Sequence, residues 1–428
     1  MDWGLVDELE WRGMVHQSTD AALGAKLAAG RFPAYHGIDV TADSLHVGNL
    51  VGVIALQRLQ RHGHRPLAVL GGATTLVGDP SGRDGERPLL SVEQIEANAA
   101  GIRRQLESFL DFAPGAASAR LMNNAGWLSP LRLTDFLRDV GKHFTVNAMI
   151  AKESVRARLE GREQGISYTE FSYMLLQAYD FLHLLDAEGC RLQVGGSDQW
   201  GNITAGIELV RRVRGVEVYG LTWPLLTRAD GSKFGKSTAG NVWLDPARTS
   251  PYAFFQYWMR TDDADVGRFL RLLTSVEPER VQELEAALAQ RPGAREAQRA
   301  LADELTAAVH GPAEADRARR ASAALFEGDV SRLDPPTMLE VLAEAPSTEL
   351  GRAELEDGGG LELVDALVRT ALASSRSAAR TAVDQGGIYV NDRREADPGR
   401  RLAEADLLGG CYVVLRKGKR SYHLLRFT

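Results

Sequence analysis

The sequence contains very little cysteine and no long apolar run, and each absence excludes a class of protein. Cys190 and Cys411 are the only cysteines among 428 residues, which excludes a disulfide framework and favours a reducing compartment. No apolar stretch approaches the ~20 residues that a membrane-spanning helix requires. Residues 1–10 are acidic where a signal peptide would be basic. We therefore expect a cytoplasmic protein that does not enter a membrane.

Basic charge is in the minority overall, but it is unevenly distributed. The chain has 50 Lys and Arg against 57 Asp and Glu, which gives a net charge of −7. Residues 361–428 reverse this balance, with 12 basic against 8 acidic side chains. A basic C-terminal segment on an otherwise acidic chain indicates that this segment binds a polyanion.

Strand and helix patterns alternate in the first half of the chain. Apolar strand patterns occur at 32–39, 66–70, 191–194 and 221–227, and helical patterns occur at 46–61 and 169–185. Because glycines follow several of these strands, the alternation predicts a parallel sheet covered by helices. We therefore predict an α/β, Rossmann-like catalytic domain over residues 1–245.

The remainder of the chain divides into three parts. Residues 246–344 lack strand patterns and are rich in Ala, Leu, Glu and Arg, which predicts an α-helical domain. Residues 345–360 contain proline, acidic residues and three final glycines, which predicts a flexible linker. Residues 361–428 then form a small, independent α+β domain.

Two polar clusters follow the first two predicted strands. His46, Gly48 and Asn49 lie at the start of the first long helix, where two donors beside the positive helix end can bind an anion. Gly48 would also let a planar ring approach the helix backbone. Arg83 and Arg87 lie in a glycine-rich segment that can close over phosphates. A capped helix with a surface histidine explains the first cluster about as well, and the second is a weak signal alone.

A polar stripe marks the predicted helix at 169–185. Tyr173, Gln177 and Asp180 share one helical face among apolar neighbours, at a spacing that normally carries apolar residues. Because an unpaired buried polar group costs ~1–3 kcal/mol, this stripe must face partners, water or a ligand. An internal hydrogen-bond network is the alternative. Asp198 and Gln199 follow the next strand, at the end where open α/β sheets bind ligands.

A fourth cluster, GSKFGKS, carries Lys233 and Lys236. It is not a phosphate-binding P-loop, because that pattern requires a glycine where Asp230 stands. Flexible lysines in such a loop can follow moving charge on a triphosphate. A lysine pair alone, however, is usually solvated surface.

Taken together, these clusters resemble those of the class I aminoacyl-tRNA synthetases. HVGN at 46–49 is similar to their HIGH motif, and KFGKS at 233–237 is similar to their KMSKS motif. More narrowly, bacterial tyrosyl-tRNA synthetases resemble this chain in AYHGIDVTADSLHVGN, GGATTLVGDPSG, TEFSYMLLQAYDFL and GGSDQWGNITAG. The segment RSAARTAVDQGGIYVN resembles their S4-like RNA-binding domain. Asn49 departs from the family pattern, because many members have histidine there.

The resemblance implies two reactions in one site. L-Tyrosine and ATP, with Mg²⁺, would form tyrosyl-adenylate, and the tyrosyl group would then pass to the 3′-terminal adenosine of tRNA(Tyr). Because the substrate carboxylate is itself the nucleophile, the enzyme would supply positioning and charge stabilisation. A homodimer without a protein-bound metal is implied. The alternatives are a tryptophanyl-tRNA synthetase and a non-catalytic RNA-binding protein on a synthetase scaffold.

The resemblance also implies the roles of individual residues. The reacting phosphates would be stabilised by Thr41, His46, Asn49, Arg83, Arg87, Lys233 and Lys236. ATP would contact Gly37, Asp39, His46, Gly48, Asn49, Asp198 and Lys236. The phenol hydroxyl of tyrosine would bind Tyr35 and Asp180, and its ammonium group would bind Asp79, Tyr173 and Gln177, with Gln199 nearby. The basic residues expected to contact tRNA are Arg211, Arg212, Arg376, Arg380, Arg393, Arg416 and Lys417.

Overall fold

The chain is described by a computed structural model. It describes residues 3–81, 90–152, 155–156, 159, 166–229, 234–237, 240–327, 333, 335–342, 345–356, 360–418 and 421–428. The chain divides into one compact unit of residues 1–249 and 259–309 and a second of residues 250–258 and 310–428. Within the described ranges, no helix is long and apolar enough to cross a membrane.

The described residues of the first unit contain a sheet of six strands. They are β1 Gln17–Ser18, β2 Pro33–Ile38, β3 Arg65–Leu70, β4 Arg120–Asn123, β5 Leu192–Gly196 and β6 Tyr219–Trp223. Their order is β1-β6-β5-β2-β3-β4, and every pair is parallel except β1 with β6. A short ribbon joins β7 Lys236–Ser237 to β8 Gly240–Asn241. The predicted Rossmann-like parallel sheet is confirmed.

Helices precede, separate and follow these strands along the chain. Those that begin before residue 310 are α1 Leu5–Trp11, α2 Leu23–Ala29, α3 Leu50–Arg61, α4 Thr74–Val77, α5 Val92–Leu106, α6 Ala125–Leu128, α7 Leu133–Asp139, α8 Val146–Ile150, α9 Tyr168–Glu188, α10 Trp200–Arg214, α11 Pro251–Met259, α12 Asp263–Leu273, α13 Pro278–Gln290 and α14 Glu296–His310. Strand alternation in β2 places helices on both faces of the sheet. Tyr35 packs edge-on against Phe181 of α9, with ring centroids 5.4 Å apart. The next residue, His36, lies against Gly52 of α3.

Helix α9 carries the polar stripe and has clear start and stop signals. The Ser167 hydroxyl accepts a hydrogen bond from the Glu170 backbone N–H, and Gly189 ends the helix with a φ of 67°. Tyr173 and Asp180 are both buried in this helix. Local capping therefore defines the helix that brings these two side chains into the interior.

The second unit combines helices with a small sheet. Its further helices are α15 Pro312–Glu327, α16 Pro335–Val341, α17 Ala353–Glu356, α18 Leu363–Arg369 and α19 Arg376–Asp384. Its strands are β9 Ser347–Leu350, β10 Leu361–Glu362, β11 Ile388–Val390, β12 Arg393–Glu395, β13 Arg401–Leu402, β14 Tyr412–Lys417 and β15 Ser421–Phe427. Five of the described strands form a sheet in the order β12-β11-β14-β15-β9. Leu363, Leu367 and Val383 contribute to its core.

The prediction of a flexible linker at 345–360 is wrong for its described residues. Strand β9 pairs in parallel with β15, and α17 follows it. Leu350 and Leu355 are buried in the core of the C-terminal sheet. These two apolar side chains anchor a segment whose proline, acid and glycine content indicated a coil. The predicted boundaries at 245, 344 and 360 otherwise stay predictions.

Candidate active site

A cavity of about 260 Å³ opens at the carboxyl ends of the parallel strands. The chain passes from β2 to β3 and β4 on one side, whereas β5 returns to the other side of β2. Strand β2 pairs with β3 along residues 33–38, but with β5 only at Ala34–Leu192 and Tyr35–Gln193. The strands therefore separate beyond Tyr35 and Gln193, at the kind of switch point where open α/β sheets bind ligands.

The deep end of the cavity holds a buried carboxylate beside a buried phenol. Asp180 accepts hydrogen bonds from Trp127 Nε1 at 2.7 Å and from Asn124 Nδ2 at 3.1 Å. The Tyr35 hydroxyl is buried and has no hydrogen-bond partner within the described structure. Because buried polar groups are normally paired, this arrangement can be completed by a hydroxyl of a ligand.

Burial changes the acidity of both groups at the deep end. Burial raises the pKa of Asp180 to about 7, although the hydrogen bonds from Asn124 and Trp127 oppose this shift. Burial, and then the neighbouring Asp180 carboxylate, raises the pKa of Tyr35 well above its ordinary value. Tyr35 therefore stays a protonated donor at neutral pH, whereas Asp180 changes its charge near neutrality.

The raised pKa of Asp180 predicts a stability that depends on pH. An aspartate in an unfolded chain titrates near ~3.9, so the folded state binds more protons between about pH 4 and 7, and stability falls as the pH rises through that range. Asp180→Asn removes this titration. The urea midpoint of the variant minus that of the wild type should therefore increase from about pH 5 to about pH 8. An equal margin at both pH values would contradict this titration.

A second polar network lies around Asp79. Gln199 Nε2 donates to Asp79 Oδ2 at 2.8 Å, and the Ser81 backbone N–H donates to Asp79 Oδ1 at 2.9 Å. Gln177 Nε2 donates to Gln199 Oε1 at 3.3 Å, while Gln177 Oε1 has no partner in the part of the chain described. Burial, and then the charge of Asp39, raises the pKa of Asp79. These oxygens suit a cationic group such as an ammonium.

The cavity lining between these networks and helix α3 includes glycines and acidic side chains. A Cβ at Gly37 would meet no other atom within 4 Å, so the cavity is open there. Gly48 and Asn49 line the same region, together with Asp39 and Asp198. Burial raises the pKa of Asp198, and the charge of Asp39 adds to the rise. Among the described residues, no group of three or more His, Cys, Asp and Glu could hold a metal ion.

The HVGN segment forms a reciprocal cap before helix α3. His46 Nδ1 accepts a hydrogen bond from the Gly48 N–H at 3.0 Å, and Asn49 Oδ1 accepts one from the His46 N–H at 3.0 Å. Residues Val47–Asn49 form a 3-10 turn, and the α-helix begins at Leu50. The placement of His46 within the first helical turn is therefore wrong, because its extended backbone caps the turn instead.

The KFGKS segment meets the HVGN segment through its glycine. Gly235 has a φ of 93°, and a Cβ there would lie 3.4 Å from Val47 Cγ2 and 3.5 Å from Gly48 N. The Gly235 carbonyl accepts a hydrogen bond from Val242 N, and the Val242 carbonyl accepts one from Val47 N. The fold thus brings together two motifs that lie far apart in the sequence.

The structure places most of the predicted ligand-binding residues in one cavity. Its lining includes Tyr35, Gly37, Asp39, Gly48, Asn49, Asp79, Tyr173, Gln177, Asp180, Asp198 and Gln199. Thr41 is exposed and His46 is half-buried, and both lie outside this lining. Arg83, Arg87 and Lys233 lie outside the described residues, and Lys236 is described only as backbone in β7.

Three residues of the site were missed by the sequence analysis. Asn124 and Trp127 follow β4, whose four residues are not fully buried and give a weak strand pattern. Their position after a strand is the signal that could have identified them. Gln193 is the polar residue of the otherwise apolar strand β5, and the same strand pattern could have marked it.

The basic residues expected to contact RNA differ in their surroundings. Arg211 and Arg212 are exposed on α10, and both pair with Glu208. Arg376 is exposed and forms ion pairs with two acidic side chains. Arg380, Arg393 and Lys417 are also exposed. These six remain on the surface of the units that carry them.

Arg416 differs from the others, and its expected contact with RNA is corrected. It is 8% exposed, and its Nε pairs with Asp392 Oδ1 at 2.6 Å. Its Nη1 donates to the Gly418 carbonyl, and its guanidinium lies 3.7 Å from the centre of the Tyr389 ring. A guanidinium that is buried, paired and stacked stabilises the sheet rather than meeting a phosphate.

Comparisons with known proteins agree over the whole chain. Residues 27–327 match the family model of class I tRNA synthetases (W and Y), and residues 340–425 match that of the SYY-like C-terminal domain of tyrosine–tRNA ligase. The chain is 54% identical over 424 residues to the tyrosine–tRNA ligase of Roseiflexus castenholzii, covering 99% of each. It is 52% identical over 425 residues to that of Opitutus terrae, covering 99% and 100%. A truncated mitochondrial tyrosyl-tRNA synthetase from Aspergillus nidulans superimposes with a TM-score of 0.68 at 31% identity, covering 76% of this chain and 94% of that one.

Proposed function

The chain belongs to the tyrosine–tRNA ligases within the class I aminoacyl-tRNA synthetases, and from this we propose that it joins L-tyrosine to tRNA(Tyr) with ATP. In the first step, a carboxylate oxygen of tyrosine attacks the α-phosphorus of ATP, and pyrophosphate leaves. In the second step, a ribose hydroxyl of the terminal adenosine attacks the tyrosyl carbonyl carbon, and AMP leaves. The observation that carries the proposal is a cavity with one end suited to a hydroxyl and another suited to an ammonium.

The two polar networks suit the two polar ends of tyrosine. The Asp180 carboxylate would accept a hydrogen bond from the phenol hydroxyl, beside the Tyr35 hydroxyl. Asp79 and Gln177 would accept hydrogen bonds from the ammonium group, with Tyr173 and Gln199 alongside. Phenylalanine would leave the groups at the deep end buried without a new partner, which weakens its binding. This difference favours tyrosine over the other aromatic amino acids.

ATP would occupy the part of the cavity next to helix α3. Gly37, Asp39, Gly48, Asn49 and Asp198 line this region. The phosphates would be stabilised by Thr41, His46, Arg83, Arg87, Lys233 and Lys236. Mg²⁺ would enter with ATP and neutralise phosphate charge.

Pyrophosphate exchange with tyrosine, phenylalanine and tryptophan tests the amino-acid substrate. Tyrosine should drive the fastest exchange, because the carboxylate and hydroxyl at the deep end suit a phenol. Tryptophan as the best substrate would overturn the proposal. A folded protein that supports no exchange would favour the non-catalytic alternative. Charging of purified tRNA(Tyr) with labelled tyrosine then tests the second step.

The proposed tRNA contacts lie on exposed basic side chains of both units. In the C-terminal domain they are Arg376, Arg380, Arg393 and Lys417, and on α10 they are Arg211 and Arg212. Contacts with phosphates make binding weaken as salt is raised. A cytoplasmic location, indicated by the low cysteine content, stays a proposal.

We also propose that the enzyme is a homodimer that uses an apolar patch of the first unit. Six large apolar side chains among the described residues of 133–168 are exposed, namely Leu133, Leu137, Val146, Ile150, Leu159 and Tyr168. Helix α7 contains no buried residue, although it carries two of these leucines. Concentrated exposed apolar residues mark interfaces, and a second copy would cover the same patch on both subunits.

The substitution Leu137→Asp tests this interface by placing a charge in the patch. A charge buried without a partner should raise the dimer dissociation constant at least ~100-fold, as measured by analytical ultracentrifugation. Val92→Asp is the matched control, because Val92 is 52% exposed and lies on α5 outside the patch. The control should sediment like the wild type. A monomeric wild type, or a Leu137→Asp variant that stays dimeric, would contradict the proposal.

A further inference from the structure

Gln193 has a buried amide side chain that takes part in none of the substrate contacts proposed above. Its side chain is 2% exposed and lines the cavity. Its Oε1 atom has no hydrogen-bond partner within the described structure. An unpaired buried carbonyl oxygen destabilises a folded chain. Such a group is explained when a bound ligand completes its hydrogen bonding.

The sheet register places Gln193 at the deep end of the cavity. Gln193 is the register partner of Tyr35, and adjacent residues of parallel strands point to the same face. That face carries α9, because Tyr35 packs against Phe181. The next residues on this face are Gly37 and Gly195, which lack side chains and line the opening. Tyr35 and Gln193 therefore lie side by side at the deep end of the cavity, where the Tyr35 hydroxyl is buried.

We propose that Gln193 is a further specificity-determining residue, which recognises the phenol hydroxyl of L-tyrosine together with Tyr35 and Asp180. The inference rests on the proposed function. Tyrosine brings a second hydroxyl to this end, so two O–H donors then face two acceptors, the Asp180 carboxylate and the Gln193 carbonyl oxygen. Phenylalanine brings no donor and leaves the Gln193 oxygen without one. Gln193 thus adds to the discrimination between the two amino acids.

The substitution Gln193→Met tests this role, because it replaces the amide with an apolar chain of similar length. Without ligand, the variant should unfold at the same or a higher temperature, because an unpaired buried oxygen has been removed. In pyrophosphate exchange, the KM for tyrosine should rise about tenfold. The KM for ATP and the use of phenylalanine should stay unchanged. The preference for tyrosine over phenylalanine should therefore fall about tenfold.

Gln298→Met is the matched control for this experiment. Gln298 is also buried with an unpartnered Oε1 among the described residues, but it lies outside the cavity lining, and its Nε2 donates to Asp263 Oδ1 at 2.6 Å. The control should lose thermal stability and keep the tyrosine preference. An unchanged preference in Gln193→Met overturns the proposal. So does a loss of stability with equal losses for both amino acids, because that result shows a structural role.

Failure of the proposed function gives a different result from failure of this inference. A wild type without tyrosine-dependent exchange would refute the proposed function, and with it the role of Gln193. Normal wild-type exchange with an unchanged preference in the variant would refute only the role of Gln193.

Discussion

Replacement of Asp180 by asparagine is expected to lower kcat/KM for tyrosine about 100-fold in pyrophosphate exchange, because a hydrogen bond to a charged group contributes ~1.5–3 kcal/mol. An asparagine also presents an amide N–H₂ where Trp127 and Asn124 donate hydrogen bonds to the carboxylate. One donor is then left facing another donor. Phenylalanine has no hydroxyl and makes no hydrogen bond with Asp180, so kcat/KM for phenylalanine should change little. The preference for tyrosine over phenylalanine should therefore fall.

The matched control is Asp186→Asn, on the same helix. Asp186 is exposed and pairs with Arg214 at the surface, at 2.8 Å. Exposed ion pairs contribute little to stability, so this variant should behave like the wild type. The stability of the Asp180 variant relative to the wild type should also be higher at about pH 8 than at about pH 5, because only the wild type acquires a buried charge in that range. An Asp180→Asn enzyme with an undiminished preference for tyrosine would contradict the placement of the phenol at Asp180.

The second large effect is expected for Gly48→Ala, which should slow formation of the adenylate about 100-fold, as expected when reacting groups are misplaced by about 1 Å. A Cβ at position 48 would lie 2.8 Å from His46 Cε1 and 2.9 Å from His46 Nδ1. The histidine ring must therefore move, and the hydrogen bond that it accepts from the Gly48 N–H is disturbed. A Cβ at position 48 would meet no described atom of the KFGKS segment within 4 Å, so the disturbance begins at the His46 ring.

Single-turnover measurements separate this effect from tyrosine binding. The tyrosine dissociation constant should stay within about threefold of the wild type, because the substitution is confined to the nucleotide side of the cavity. Gly293→Ala is the control, since a Cβ there would meet no atom within 4 Å. An equal loss of tyrosine affinity and adenylate rate in Gly48→Ala would place the damage in the fold rather than at the nucleotide.

Local patterns predicted the elements that carry the site. The strand predicted at 32–39 is β2, Pro33–Ile38, and the helix predicted at 169–185 is α9, Tyr168–Glu188. Strand alternation and helical spacing are properties of neighbouring residues, so a single sequence contains them. The position of Tyr173 and Asp180 on one helical face followed from that spacing alone.

Predictions that depended on distant partners were less successful. Within the segment predicted as a linker, Ser347–Leu350 forms a strand because β15, some way along the chain, offers it an edge. Arg416 is buried because Asp392 and Tyr389 surround its guanidinium. Composition describes neither contact, since both pairings are made by the folded sheet.

By itself, the sequence determined which polar side chains follow the strands and which of them share a helix face. Only the tertiary structure decided which buried groups of the cavity find no hydrogen-bond partner among the described residues, namely the Tyr35 hydroxyl and the Gln177 and Gln193 oxygens. Whether a buried group is satisfied depends on the atoms that other strands and helices bring to it. The separation of β2 from β5 withholds those atoms, and the space that it leaves is the cavity.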